Sequence, residues 1–138
     1  MSDLVITEQF GERAALKMLK SAVEKARELG APDGVGIVDA GGHLRAWALM
    51  DGAPQIALDV VLKKARTAAY IGRPSGELDL PAERAAALSR AAADFVAIPG
   101  GLPVIRNGHV LGAIAVGGSD SKTDVVVAEA GISALDLN

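Results

Sequence analysis

One lysine in this sequence stands where the pattern around it calls for an apolar residue. From Gln55 to Ile71, Ala57, Val60, Val61, Ala68 and Ile71 recur at helical spacing, and Lys64 falls inside their stripe. Its neighbour Lys63 follows Asp59 by four residues and reads as half of an ordinary surface pair. A lysine on an apolar face either lays its stem along the core with its ammonium in water, or aims a cation into a pocket. In the second case Lys64 can hold a carboxylate or stabilise a developing oxyanion, while Asp51 or Asp124 moves a proton. Gly100-Gly101 and Gly117-Gly118-Ser119, the latter just before a helical segment, can present bare amides to the same anion. Together these residues compose a cofactor-independent isomerase, lyase or hydrolase acting on a small carboxylate or keto acid. The plainer alternative gives Asp51 to a turn and Asp124 to a helix cap, where acidic residues are stabilising in any case.

Other chemistries find less support. The sequence has no cysteine, which removes disulfides, thiolate metal ligands and a cysteine nucleophile. Ser75, Ser89 and Ser119 lack a nucleophile elbow, and the Gly117 to Lys122 run is not a Walker loop. Asp120 and Asp124 lie four apart near a helix start, but a cap and a solvated first turn explain them, so no metal site is expected. His43 follows Gly-Gly and His109 follows Asn-Gly, which places both at exposed hairpin tips. Aromatic residues are only 3% of the 138 and the net charge is −3, so neither a stacking platform nor a basic footprint for nucleic acid is present. No apolar run reaches membrane-spanning length, and the start from Met1 lacks a basic, apolar leader, so a cytoplasmic protein is expected.

The elements that must position these residues can be read from periodicity. Thr7 to Leu29 has the spacing of an amphipathic helix, with Thr7 as its cap and Gly30 and Pro32 as its stop. Val35 to Asp39 and Leu44 to Leu49 flank the turn Ala40-Gly41-Gly42-His43 as a hairpin. Both strands are apolar at nearly every position, which predicts cover on both faces of the sheet, and Trp47 reads as core or as a subunit interface. Pro54 precedes the helix that carries Lys64, and Gly72 and Pro74 end it. A short helix is expected over Leu80 to Ala93 and a brief strand over Phe95 to Ile98. Leu102 to Ile105 and Val110 to Val116 form a second hairpin on Asn107-Gly108, the dipeptide suited to a type I′ turn. Lys122 to Leu135 closes the chain as a helix, with Ser121 and Asp124 at capping-box spacing. This order predicts one α+β domain over 1–138, an antiparallel sheet with helices packed on it.

Several segments resemble the GlcG/HbpS-like family, which includes haem-binding and haem-degrading proteins and the PduO C-terminal domain. They are Val38-Asp39-Ala40-Gly41-Gly42, Met50-Asp51-Gly52-Ala53, Lys64-Ala65-Arg66-Thr67-Ala68, Gly100-Gly101-Leu102-Pro103-Val104 and Gly112 to Gly118. The resemblance spans nearly the whole chain. It implies a five-stranded antiparallel sheet with profilin-like topology, a homo-oligomer, and a small-molecule ligand of which haem is the family's example. A pocket near Asp51, Lys64, Gly100-Gly101 and the Gly117 to Asp124 turn is then expected. For haem, the axial ligand must come from Met18, His43 or His109. Leu49, Gly118 and Val125 depart from the family pattern, where an Arg, a Ser and a Glu are common, which implies altered ligand preference or lost activity. A non-catalytic assembly domain that sequesters its ligand is the third reading.

Overall fold

A computed structural model describes residues 2–138; Met1, from which the leader was judged, lies outside them. Among the described residues, four helices and four strands follow one another: α1 (Glu12–Glu28), β1 (Gly34–Asp39), β2 (Leu44–Leu49), α2 (Ile56–Ile71), α3 (Ala82–Ala91), β3 (Gly101–Arg106), β4 (His109–Gly117) and α4 (Ser121–Ser133). The strands form one antiparallel sheet in the order β2-β1-β4-β3. The α+β class stands, but the five-stranded, profilin-like sheet is corrected to four strands.

The missing strand is Phe95 to Ile98. Side chains and a local turn, rather than a ladder, supply its backbone hydrogen bonds. The Val96 N–H donates to Thr67 Oγ1 at 2.9 Å, and the Ser75 hydroxyl donates to the Ile98 carbonyl. The segment is thus strapped to α2 and to the loop behind it.

Strand register explains why the sheet is covered twice. Val35 pairs with Val116 and Ile37 with Ile114, and these four enter a core with Met18, Ala22, Val127 and Ala128 from α1 and α4. On the opposite face Gly36 pairs with Ala115 and Val38 with Ala113, against Val61, Ala65 and Ala68 of α2. Those sheet residues are small for a reason: a methyl at Gly36 would lie 2.9 Å from Val61 Cγ1. The close approach brings α2, and with it Lys64, hard against the sheet. Strand β1 is buried throughout, as its composition predicts, whereas β2 is an edge strand in which only Ala46 is buried. Trp47 is therefore half exposed, beside Leu44, and not core.

Ends differ from the reading in small ways. Helix α1 begins at Glu12 with Gly11 as cap, not at Thr7. The Asn107-Gly108 turn has φ of 51° and 77°, as a type I′ hairpin requires. At α4 the cap is Asp120, whose carboxylate accepts the Thr123 N–H at 2.9 Å. The box expected from Ser121 is displaced one residue outward: Asp124 accepts the Ser119 N–H at 3.2 Å. No helix among the described residues is long and apolar enough to cross a membrane.

Candidate functional site

Helix α2 points Lys64 into the protein between the ends of β3 and β4. The side chain is 2% exposed, so its ammonium does not reach water. Nζ donates to the Pro99 carbonyl at 3.0 Å and lies 3.6 Å from Asp124 Oδ2 in the first turns of α4. Three of the glycines singled out in the sequence make this possible. A methyl at Gly100 would stand 2.5 Å from Nζ, one at Gly117 would stand 3.3 Å from it, and one at Gly101 would collide with the Lys64 carbonyl. Gly101 N–H donates to Ser75 Oγ at 3.0 Å, and the Gly100 carbonyl accepts from Val116 N–H at 3.0 Å. These residues seat the lysine by lacking side chains.

A second carboxyl joins the pair. Asp33, just ahead of β1, is fully buried; its Oδ1 accepts the Ser119 hydroxyl at 2.7 Å, and its Oδ2 has no partner among the described residues. Gly118 is needed here too, because a methyl on it would crowd Asp33 Oδ1 at 3.2 Å and the Pro32 carbonyl at 3.1 Å. Asp33 carried no signal in the sequence. An aspartate between a proline and a glycine at the mouth of a strand looks like any turn residue.

Burial governs the electrostatics of the set. It pushes the Asp124 carboxyl up to about 6, against the pull of Lys64 and the Ser119 N–H, with Asp33 adding to the rise. It raises Asp33 as well, opposed by the Ser119 hydroxyl and by Lys64. The same burial lowers Lys64, against the attraction of Asp124 and Asp33. A cation, a base poised near neutrality and a third ionisable group thus meet at one point, which is how proton-transfer sites are built. Above them the backbone of Gly100 helps line a cleft of about 320 Å³ with Leu102, Val125, Pro74 and the acidic Glu77 and Glu129.

Lys64, Asp124, Ser119 and the glycines are therefore brought together. Asp51 is not. It is exposed, and it lines a separate cavity of about 420 Å³ with Arg27, Pro32 and Met50. The groups that act on Lys64 are Asp124 and Asp33.

The three candidate axial ligands part company as well. Met18 is fully buried in the core. The His43 side chain is 80% exposed, with Nδ1 held 3.1 Å from Asp39 Oδ1. His109 opens β4 and lines the largest of the described cavities, about 630 Å³, whose walls include Val5, Ile6, Ala40 and Val110. No group of three or more metal-ligating side chains occurs among the described residues.

Comparison with known proteins places this geometry. Residues 10–133 match the family model described as haem degrading protein HbpS-like. An uncharacterized 15.0 kDa protein from the dhaT-dhaS intergenic region of Citrobacter freundii is 34% identical over 120 residues, 84% of each chain. Klebsiella pneumoniae protein ORFY superposes with a TM-score of 0.90 at 25% identity, covering 97% of this chain and 95% of that one. A double mutant of Streptomyces reticuli HbpS superposes at 0.89 with 29% identity, covering 99% and 93%. The chain belongs to the GlcG/HbpS-like family.

Proposed function

We propose that the chain binds haem or a similar planar, largely apolar ligand in the groove beside His109. One observation carries the reading: of the three side chains eligible as axial ligand, His109 lines a cavity of small-molecule size, walled by Val5, Ile6 and Val110 together with the polar Thr7, Glu8 and Gln9. The haem-degrading description of the family supports the choice of ligand. The cleft over Lys64 offers haem iron no imidazole, thioether or phenol. In the His109 groove the imidazole would hold the iron, and the exposed Val5 and Ile6, with Val110, would offer the ring apolar surface. No basic side chain lines the groove, so carboxylates on the ligand would lie in solvent. Bound haem supplies one-electron and oxygen chemistry.

The test is a haemin titration followed by absorbance, with His109→Ala and His43→Ala in parallel. Saturable binding at one site per chain, weakened at least about tenfold by His109→Ala and unchanged by His43→Ala, supports the site; a tenfold change corresponds to about 1.4 kcal/mol. Unchanged binding in His109→Ala removes this site. Absence of saturation in the wild type removes haem.

The buried Lys64 favours a second reading: acid–base chemistry on a small carboxylate or keto acid, with Lys64 holding the anion and Asp124 moving the proton. Exchange of substrate C–H protons in deuterium oxide, lost in Asp124→Asn, is the corresponding assay. A panel of such acids showing no exchange above the uncatalysed rate would end it.

A further inference from the structure

We infer that residues 76–99, the excursion that carries α3, form a gate over Lys64, and that the ammonium meets a ligand in the cleft only when this segment swings out between Ser75 and Gly100. Lys64 lies behind the cleft and is shut off from it. Its side chain is 2% exposed, and the wall of the cleft beside it is backbone. Gly100 packs so closely that a methyl there would stand 2.5 Å from Nζ, and the Pro99 carbonyl accepts the ammonium at 3.0 Å. Contact between Nζ and a ligand therefore requires Pro99 to give way.

The segment that ends at Pro99 is weakly held. No side chain from Gly76 to Pro99 is buried, those of α3 included, and none joins either core cluster. Its backbone bonds are local, as from Glu77 N–H to the Pro74 carbonyl at 3.1 Å and from Phe95 N–H to the Ala92 carbonyl at 2.9 Å. Ladder pairing with β4 begins only at Gly101. A short row of side chains ties the segment down near its C-terminal end. Thr67 Oγ1 accepts the Val96 N–H at 2.9 Å and lies 3.0 Å from the Asp94 carbonyl. Arg66 Nη1 donates to Asp94 Oδ1 at 3.2 Å, and the Ser75 hydroxyl donates to the Ile98 carbonyl. Segments with so little buried apolar surface open at a small fraction of the global unfolding free energy. Opening this one leaves both cores intact.

Its two ends are suited to act as hinges. Ser75 is fully buried and belongs to the fixed frame: its N–H donates to the Gly101 carbonyl at 2.9 Å, and its Oγ accepts the Gly101 N–H at 3.0 Å. Just inside that frame stand two glycines. Gly76 closes on Pro99, where a methyl would lie 2.7 Å from Cα, and Gly100 has φ of +122°. Parting Gly76 from Pro99 widens the cleft that both line and frees Nζ in the same movement. Lys64 then gives up the Pro99 carbonyl and keeps Asp124. The gate rests on the acid–base reading of Lys64 for its purpose, but the motion does not depend on it.

The experiment is acetylation of the native chain at pH 8 by an amine-reactive acetyl ester in 0 to 1 M urea, read at Lys64 by fragment-ion mass spectrometry. The exposed Lys63 is the internal reference. Lys64 should react more slowly than Lys63, at a rate that low urea leaves unchanged. Thr67→Val, which unties the segment, should raise that rate at least about fivefold. Ile37→Val, a core change away from the segment, should leave it unchanged while speeding hydrogen exchange of the β1 and β4 amides at least about twofold. Should Thr67→Val fail to fold, Asp94→Ala takes its place, with a rise of about twofold or more expected. Acetylation of Lys64 as fast as Lys63 overturns the gate, because Nζ would then be open already. Acetylation that follows urea and Ile37→Val in step with the β4 amides, or that untying the segment leaves unchanged, overturns it too. No substrate enters this measurement, so the gate can fail while proton exchange into a substrate persists, and exchange can be absent while the gate is intact.

Discussion

Replacing Lys64 with methionine keeps much of the side chain's length and removes its charge, and the structure fixes how the cost should depend on pH. At low pH both carboxyls are protonated, and the variant loses chiefly the hydrogen bond to the Pro99 carbonyl. That is a loss of about 1–3 kcal/mol for a buried acceptor left without its donor. At higher pH the cation that opposed the rise of Asp124 is gone, and Asp124 must either ionise without a partner or hold its proton against the solvent. Breaking one side of a buried pair in this way costs about 3–5 kcal/mol. The wild type sets the scale: a carboxyl raised from 3.8 to about 6 already loses about 3 kcal/mol of stability as pH rises through that interval. With Lys64 absent the folded value climbs further, and the loss extends to higher pH. Urea unfolding of wild type and variant at pH 5 and pH 8 measures this directly. The gap between them should widen by about 2 kcal/mol from pH 5 to pH 8. A gap of equal size at both pH values, or one larger at pH 5, would show that Lys64 acts through packing alone and would refute the charge argument.

Two further substitutions probe the elements that hold the cluster. Gly100→Ala places a methyl 2.5 Å from Lys64 Nζ and from the Val116 carbonyl on a backbone of φ +122°; the left-handed conformation alone should cost about 1–3 kcal/mol, seen as a lowered melting temperature. Thr67→Val removes the hydroxyl that accepts from Val96 N–H at 2.9 Å and donates towards Lys63 or Asp94 carbonyls; it should cost about 1–3 kcal/mol in urea and speed amide exchange at Val96.

What could be read from the sequence, and what could not, divides by the distance over which each signal acts. Periodicity and turn chemistry are local, and they sufficed for both hairpins, for α2 and for the stop of α1 at Gly30. Phe95 to Ile98 failed because its composition suits a strand while its hydrogen bonds come from Thr67 and Ser75, side chains distant along the chain. Of the two readings of Trp47, core fails for a related reason: an apolar strand composition says nothing of the fact that β2 lies at the sheet's edge. Lys64 was legible because it violates the pattern of its own helix. Asp33 violates no local pattern, and its meaning arises only where β1, pairing with β4, sets the residue before it against Ser119 and Asp124.

That contrast bears on how the site is held. The core pairs Val35–Val116 and Ile37–Ile114 and the small-residue face under α2 fix the sheet, and the same register forces two carboxyls and an ammonium into one water-poor space. An apolar trio would fill that space at lower electrostatic cost, since replacing buried ion pairs by hydrophobic residues of similar volume is often neutral or stabilising. Three glycines packed against one lysine, and a fourth against Asp33, are further concessions of the fold to these polar groups. The cluster is therefore the place where this chain departs from what stability alone would choose, and departures of that kind are where function concentrates.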